Sequence, residues 1–224
     1  MVSSSTLHCA VPVIGILGGI GSGKSSVIRH VSGIRLVIID ADRIGHELLS
    51  TPEISTRIRE VFGASVFSDG GIVDRRRLAE RVFGSADQQT QCRRDLEKIL
   101  HPEIRRETEK RILSVPEDVD AVILDAALLL EAGWADQCDA LIFVDVPLEI
   151  RRQRVFASRG WSEDELARRE AAQWPVDSKR GRAGFVVDNS GSLEDAAQQM
   201  KLYLKSIVAE FPKCGPQKKR SGDF

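Results

Sequence analysis

The sequence predicts a three-layer α/β fold built on a parallel sheet of five strands. Three observations carry that expectation: short runs that are apolar at almost every position recur along the chain, helical patterns separate them, and the first run leads through a glycine-rich turn into a helix. Nearly continuous apolar runs suit strands covered on both faces, and helical connections suit parallel crossovers. The 224 residues, 42% of them hydrophobic, can bury a core and favour one domain or one domain with a sizeable insertion.

The first strand is VPVIGIL at 11 to 17, followed by GGIGSGKSS from Gly18 to Ser26 and by a helix carrying Val27, Ile28 and Val31. Gly18 to Ser25 satisfies GxxxxGK[ST] in the strand, turn and helix setting that this phosphate-loop pattern requires. The glycines, Gly19, Gly21 and Gly23 among them, let the N–H groups of Ile20, Ser22 and their neighbours face an anion, and the helix N-terminus adds partial positive charge. Lys24 reaches β- and γ-phosphates, the Ser25 hydroxyl suits Mg²⁺, and the Ser26 hydroxyl suits an α-phosphate oxygen.

The second strand, RLVIID at 35 to 40, ends in Asp40-Ala41-Asp42. Alternation along an extended segment is expected to put both carboxylates on one side, at the strand end where ligands of open α/β sheets gather. There Asp40 can accept a proton from an attacking hydroxyl or help to hold Mg²⁺. Asp42 reads equally as a cap for the helix that starts DRIGHELL.

Residues 41–119 are too many for one crossover helix and read as a mostly helical insertion placed to recognise a second substrate. Ile54, Ile58, Val61 and Phe62 recur at helical spacing; Asp74 caps a helix with Leu78 and Val82 inward and Arg75, Arg77 and Arg81 outward. Leu96, Ile99 and Leu100 precede His101-Pro102, where proline is expected to interrupt or restart a helix. By pattern alone His101 is a hydrogen-bonded structural residue.

The third strand, DAVILD at 120 to 125, closes on Asp125 in the manner of a Walker B element, a second carboxylate for Mg²⁺ or else a structural turn. The fourth, DALIFVDV at 139 to 146, leads to residues 151–176 with Arg151, Arg152, Arg154 and Arg159, a Ser162/Glu165 capping box and Trp174-Pro175. Guanidinium groups there suit a lid over a triphosphate, although any one of them reads as an ion-pair partner of Glu163, Asp164, Glu165 or Glu170. GFVVDN at 184 to 189 is the fifth strand, and Ser192 with Asp195 opens a last helix reaching about Glu210. Core segments are then 11–40, 120–150 and 177–210, with tails at 1–10 and 211–224.

With 32 basic and 33 acidic residues the net charge is −1, so the chain carries no global electrostatic footprint for nucleic acid or an anionic membrane. Cys9, Cys92, Cys138 and Cys214 are too scattered for a zinc site or a disulfide framework, and no apolar run is long enough to span a bilayer; a cytoplasmic protein is expected. A glycine-rich loop alone does not separate a small-molecule kinase from a nucleotide-dependent switch, but a GTPase would show an NKxD-like motif where this chain reads VDVP.

The order of GILGGIGSGKSSV, IIDADRIGHELL, DGGIVDRRRLAERVF, LEKILHPEI, LLLEAGW, RRQRVFASRGWS, EAAQWP and FVVDNSGS resembles the dephospho-CoA kinase family. The resemblance runs from about residue 13 to residue 210. It implies a nucleoside-monophosphate-kinase-like fold with a core, a helical CoA-binding domain at 41–119 and a lid at 151–176, acting on ATP and dephospho-CoA with Mg²⁺ as a monomer or weak homo-oligomer. It further implies that Asp40 is the base for the ribose 3'-hydroxyl, that Arg154 contacts ATP phosphates, that Asn189 lies near the adenine, and that Asp42, Arg77, Arg81 and His101 help to hold dephospho-CoA. Departures from the family pattern are Ala127 in place of a loop proline, Arg151 where Gln is frequent, Ser158 in place of a lid arginine and Ala183-Gly184 in place of Ala-Asp.

Overall fold

The computed structural model describes residues 11–82, 87–116 and 118–211, so the tails expected at 1–10 and beyond Phe211, with Cys9 and Cys214, lie outside the described residues. Val13–Gly18 forms β1, buried at every position as its unbroken apolar run requires. It pairs in parallel with Ala121–Asp125 (β3) on one side and Ala140–Asp145 (β4) on the other. Phe185–Asp188 (β5) extends the sheet beyond β4, and Leu36–Asp40 (β2) forms the opposite edge. The order is β2-β3-β1-β4-β5, the five-stranded parallel sheet of an α/β fold.

Ile14, Ile16, Ile123, Ile142 and Val144 of the sheet pack with Val27 and Ile28 of α1 (Lys24–His30) and with Ala196, Met200 and Leu204 of α9 (Leu193–Glu210). The apolar positions of α9 recur every three or four residues, so one stripe faces the sheet. Burying a side chain the size of Met200 or Leu204 is worth about 1.5–3 kcal/mol. The Ser192 hydroxyl accepts from the Asp195 N–H at 3.1 Å, which is the cap expected at that helix start.

The chain divides into two compact units, Asp40–Arg111 and the residues on either side of it. Within the helical unit lie α2 (Ala41–Leu48), α3 (Pro52–Phe62), a 3₁₀ turn (Ala64–Val66), α4 (Arg75–Val82) and most of α5 (Asp87–Leu113). Ile54, Ile58, Phe62, Leu78, Val82 and Ile99 share its core. Asp74 Oδ1 accepts from the N–H groups of Arg76 and Arg77 at 2.9 and 3.1 Å, fixing the start of α4.

Two expectations are corrected here. The 27-residue helix α5 continues through Pro102: proline removes one backbone donor, and the remaining turns carry the helix past it. Val61 lies in α3 with Ile54, Ile58 and Phe62 as its spacing predicts, but is 52% exposed. The carboxylates of Asp40 and Asp42 do not alternate along one strand, because β2 ends at Asp40 and the helix begins at Ala41.

Among the described residues Cys92 and Cys138 are free thiols, and no helix is long and apolar enough to cross a membrane. Burial, reinforced by Asp139 and Asp136, pushes the Cys138 thiol up to about 12. At pH 8 roughly one Cys138 in ten thousand is then a thiolate, the reactive form. Cys138 is expected to stay unmodified by iodoacetamide at pH 8 until the protein is unfolded in denaturant, as peptide mass mapping would show; ready labelling of the folded protein would contradict the raised thiol pKa.

Candidate active site

β1 delivers the chain into the glycine-rich turn, and α1 takes it out at Lys24. The turn closes on itself: the Ser22 N–H donates to the Gly19 carbonyl at 3.1 Å, and the Ser26 and Val27 N–H groups donate to the Gly23 carbonyl at 3.0 Å. Gly21 and Gly23 both have φ near 79°, the left-handed region that a Cβ disfavours. No side chain caps α1 and no acidic residue stands in its first turn, so the positive end of its dipole faces the turn. Ser22 is only 1% exposed, and its hydroxyl points inward without a partner among the described residues.

Two side-chain oxygens, one from the start of α1 and one from the end of β3, meet at this turn. The Ser25 hydroxyl donates to Asp125 Oδ2 at 2.7 Å, joining the start of α1 to the end of β3. A hydroxyl beside a carboxylate fits Mg²⁺, which takes one or two protein oxygens and completes its shell with phosphate and water. Asp145, at the end of β4, pairs instead with Arg180 at 2.8 Å.

On the β4 side, α6 (Leu148–Arg159), α7 (Glu163–Glu170) and the short α8 (Val176–Arg180) follow. The Asn189 amide donates to the Ser22 carbonyl at 2.7 Å, and the Arg154 guanidinium donates to the Asn189 carbonyl at 2.9 Å. Arg154 therefore reaches the phosphate turn through Asn189. Ser162 caps α7 through the Glu165 N–H, and the guanidinium groups of Arg159 and Arg169 both lie over the Trp161 ring, at 4.7 and 4.0 Å from its centroid. Much of the positive charge of this segment is thus held locally.

Compared with known proteins, the chain matches the family CoaE: Dephospho-CoA kinase over residues 12–195. The chain belongs to the dephospho-CoA kinase family. It is 36% identical over 197 residues to the dephospho-CoA kinase of Carboxydothermus hydrogenoformans, covering 87% of this chain and 94% of that one. To the dephospho-CoA kinase of Thermobifida fusca it is 39% identical over 184 residues, covering 81% and 89%. A crystal structure from Thermus thermophilus superposes with a TM-score of 0.72 at 34% identity, covering 88% of this chain and 97% of that one. The dephospho-CoA kinase structure from Campylobacter jejuni, at 21% identity and a TM-score of 0.58, shares the fold.

In this member of the dephospho-CoA kinase family the sheet-bearing unit brings together Gly19 to Ser26, Asp125, Arg154 and Asn189. Asn189, 3% exposed, spends its amide on the phosphate turn, so its visible work is to brace that turn. The helical unit carries the rest. Asp40 is the N-cap of α2, accepting from the Arg43 N–H at 2.8 Å, while Asp42 is exposed in the first turn. The capping role considered for Asp42 therefore belongs to Asp40.

Arg77 donates to the Phe67 carbonyl at 2.5 Å and faces Asp74 at 3.4 Å, whereas Arg81 is exposed on the same helix. His101 is half-buried in α5; burial lowers its imidazole pKa against the opposing pull of Glu97, which favours the neutral form. Two buried charges went unrecognised in the sequence. Lys179 bonds Glu131 and Gln173, each at 2.9 Å, and Glu131 also accepts from the Trp174 N–H at 2.7 Å. Arg151 is 5% exposed; its signal was the i, i+4 spacing to Val155, which puts both on the inward face of α6.

Proposed function

We propose that this chain transfers the γ-phosphoryl group of ATP to the ribose 3'-hydroxyl of dephospho-CoA, giving ADP and coenzyme A. The observation that carries the reading is the Ser25–Asp125 pair at 2.7 Å beside a complete phosphate turn, in a chain that matches the family across its sheet and insertion. Main-chain N–H groups between Gly19 and Ser26 cradle the phosphates, and Lys24 offsets charge on the β- and γ-groups. Ser25 and Asp125 are the residues that would hold Mg²⁺, which supplies charge neutralisation on the phosphates. Asp40, last residue of β2, takes the proton of the attacking hydroxyl. Arg154 adds positive charge from α6, and Asn189 keeps the loop after β5 against the phosphate turn on the adenine side.

In the same reading residues 41–119 hold dephospho-CoA, with Asp42, Arg77, Arg81 and His101 contributing, and residues 151–176 close over ATP. Neutral His101 serves there as a hydrogen-bonding group. The enzyme works as a monomer or weak homo-oligomer. Purified protein with ATP and Mg²⁺ is expected to release ADP when dephospho-CoA is added and to stay near background with adenosine, AMP, shikimate or gluconate. Turnover that rises with one of those acceptors and not with dephospho-CoA would sink the assignment.

A further inference from the structure

Arg151 is a permanent cation held almost entirely inside the protein. Its Nε donates to the Val146 carbonyl and its Nη1 to the Ile20 carbonyl, both at 3.2 Å, and Nη1 also bonds the Glu170 carboxylate. Those acceptors come from three places: the exit of β4, the phosphate turn itself, and the end of α7. A buried guanidinium needs such a set, because an unpaired charge in the interior is strongly destabilising.

The turn is shaped around this group. A Cβ on Gly19 would stand 2.8 Å from Arg151 Nη1 and 3.0 Å from its Cζ. A Cβ on Gly21 would stand 2.9 Å from the Arg151 carbonyl and 2.7 Å from Val155 Cγ2. The turn of α6 that carries Arg151 is therefore packed flat against the phosphate turn, and a guanidinium fills the space that Gly19 leaves.

We propose that Arg151 is a positioning residue for ATP: anchored by Glu170, it pins the Ile20 carbonyl so that the N–H groups of the phosphate turn stay aimed at the triphosphate, and it joins α7 mechanically to that turn. Its donors face protein carbonyls and a carboxylate, so it acts through the turn. The inference rests on the reading of this turn as the ATP site, and direct ATP titration of the parent protein tests that reading separately.

Arg151→Met keeps an unbranched stem and removes every donor; it is expected to raise KM for ATP roughly tenfold, as loss of a charge-assisted hydrogen bond predicts, with KM for dephospho-CoA within about twofold of the parent. Arg151→Lys keeps a charged donor one bond short of the Nη1 position and is expected to return KM for ATP to within about threefold. Glu170→Gln raises it several-fold, and the double variant Arg151→Met/Glu170→Gln is no weaker than Arg151→Met alone, because Glu170 acts through Arg151. A purely structural role would lower Tm and the active fraction while leaving KM for ATP unchanged in folded protein, and that result overturns the proposal. So does full additivity of the two substitutions. If Arg151→Met does not fold, the partly exposed Glu170→Gln decides: unchanged KM for ATP there overturns the proposal, and a selective rise supports it.

Discussion

Asp40→Asn is expected to lower kcat with dephospho-CoA by about two to four orders of magnitude and to leave KM for ATP within about twofold. The substitution isolates chemistry from structure. Asp40 Oδ1 accepts from the Arg43 N–H at 2.8 Å and so starts α2, and asparagine caps a helix about as well as aspartate. What asparagine lacks is a basic oxygen for the proton of the incoming hydroxyl. Steady-state kinetics with thermal unfolding run alongside give the answer: an unchanged Tm with collapsed turnover assigns Asp40 the base, and turnover within about threefold of the parent removes it from that role. Asp40→Ala would confuse the two, since losing the cap itself costs about 1 kcal/mol.

Gly21→Ala is expected to weaken ATP binding by about two orders of magnitude in isothermal titration, through strain alone. The position fails twice for a residue with a side chain. Its φ is +79°, and its Cβ would press on the Val155 side chain at 2.7 Å and on the Arg151 backbone at 2.9 Å. The valine methyl can shift, but the carbonyl of α6 is tied into its helix. The turn must then open, and its N–H groups lose their common aim. Retention of parent ATP affinity by this variant would mean that the turn tolerates a relaxed shape and that its glycine is there for another reason.

Local patterns were legible in the sequence because local physics produces them. The apolar runs at 11 to 17 and 120 to 125 form strands since both faces of the sheet are covered, and the turn between β1 and α1 is announced by its glycines and Lys24. The caps at Asp74, Ser162 and Ser192 likewise depend only on residues two or three places away. The failures share a different cause. Strand alternation could not say where β2 stops, and it stops where the Asp40 side chain captures the Arg43 N–H. Pro102 is an effective breaker in a short helix but only one missing bond in a helix of 27 residues.

Arg151 was hardest to see. Arginine is normally a surface residue, and the partner that makes burial tolerable on the turn side, Ile20, is 131 positions away in the chain. Glu170 was among the acids expected to pair with arginines of this segment, and the local sign that sets buried Arg151 apart from half-buried Arg152 is its spacing of four to Val155. The roles assigned to Arg77, Arg81 and His101 come from the family resemblance, whereas that of Asp40 also follows from its place at a strand end; within the helical unit Asp40 caps α2, Arg77 braces α4 to the Phe67 carbonyl and His101 lies half-buried in α5.

The connection between β2 and β3 has a consequence for how this architecture can change. These strands are neighbours in the sheet, and the entire unit Asp40–Arg111 is the excursion that leads from the end of one toward the start of the other. It has its own apolar centre in Ile54, Ile58, Phe62 and Leu78, separate from the cluster that seals the sheet. In topological terms it is a cassette: it can be lengthened, trimmed or exchanged without altering the order of strands or the turn that grips phosphate. Under the proposed assignment of acceptor binding to residues 41–119, a scaffold wired this way lets the acceptor change while the strand order stays constant.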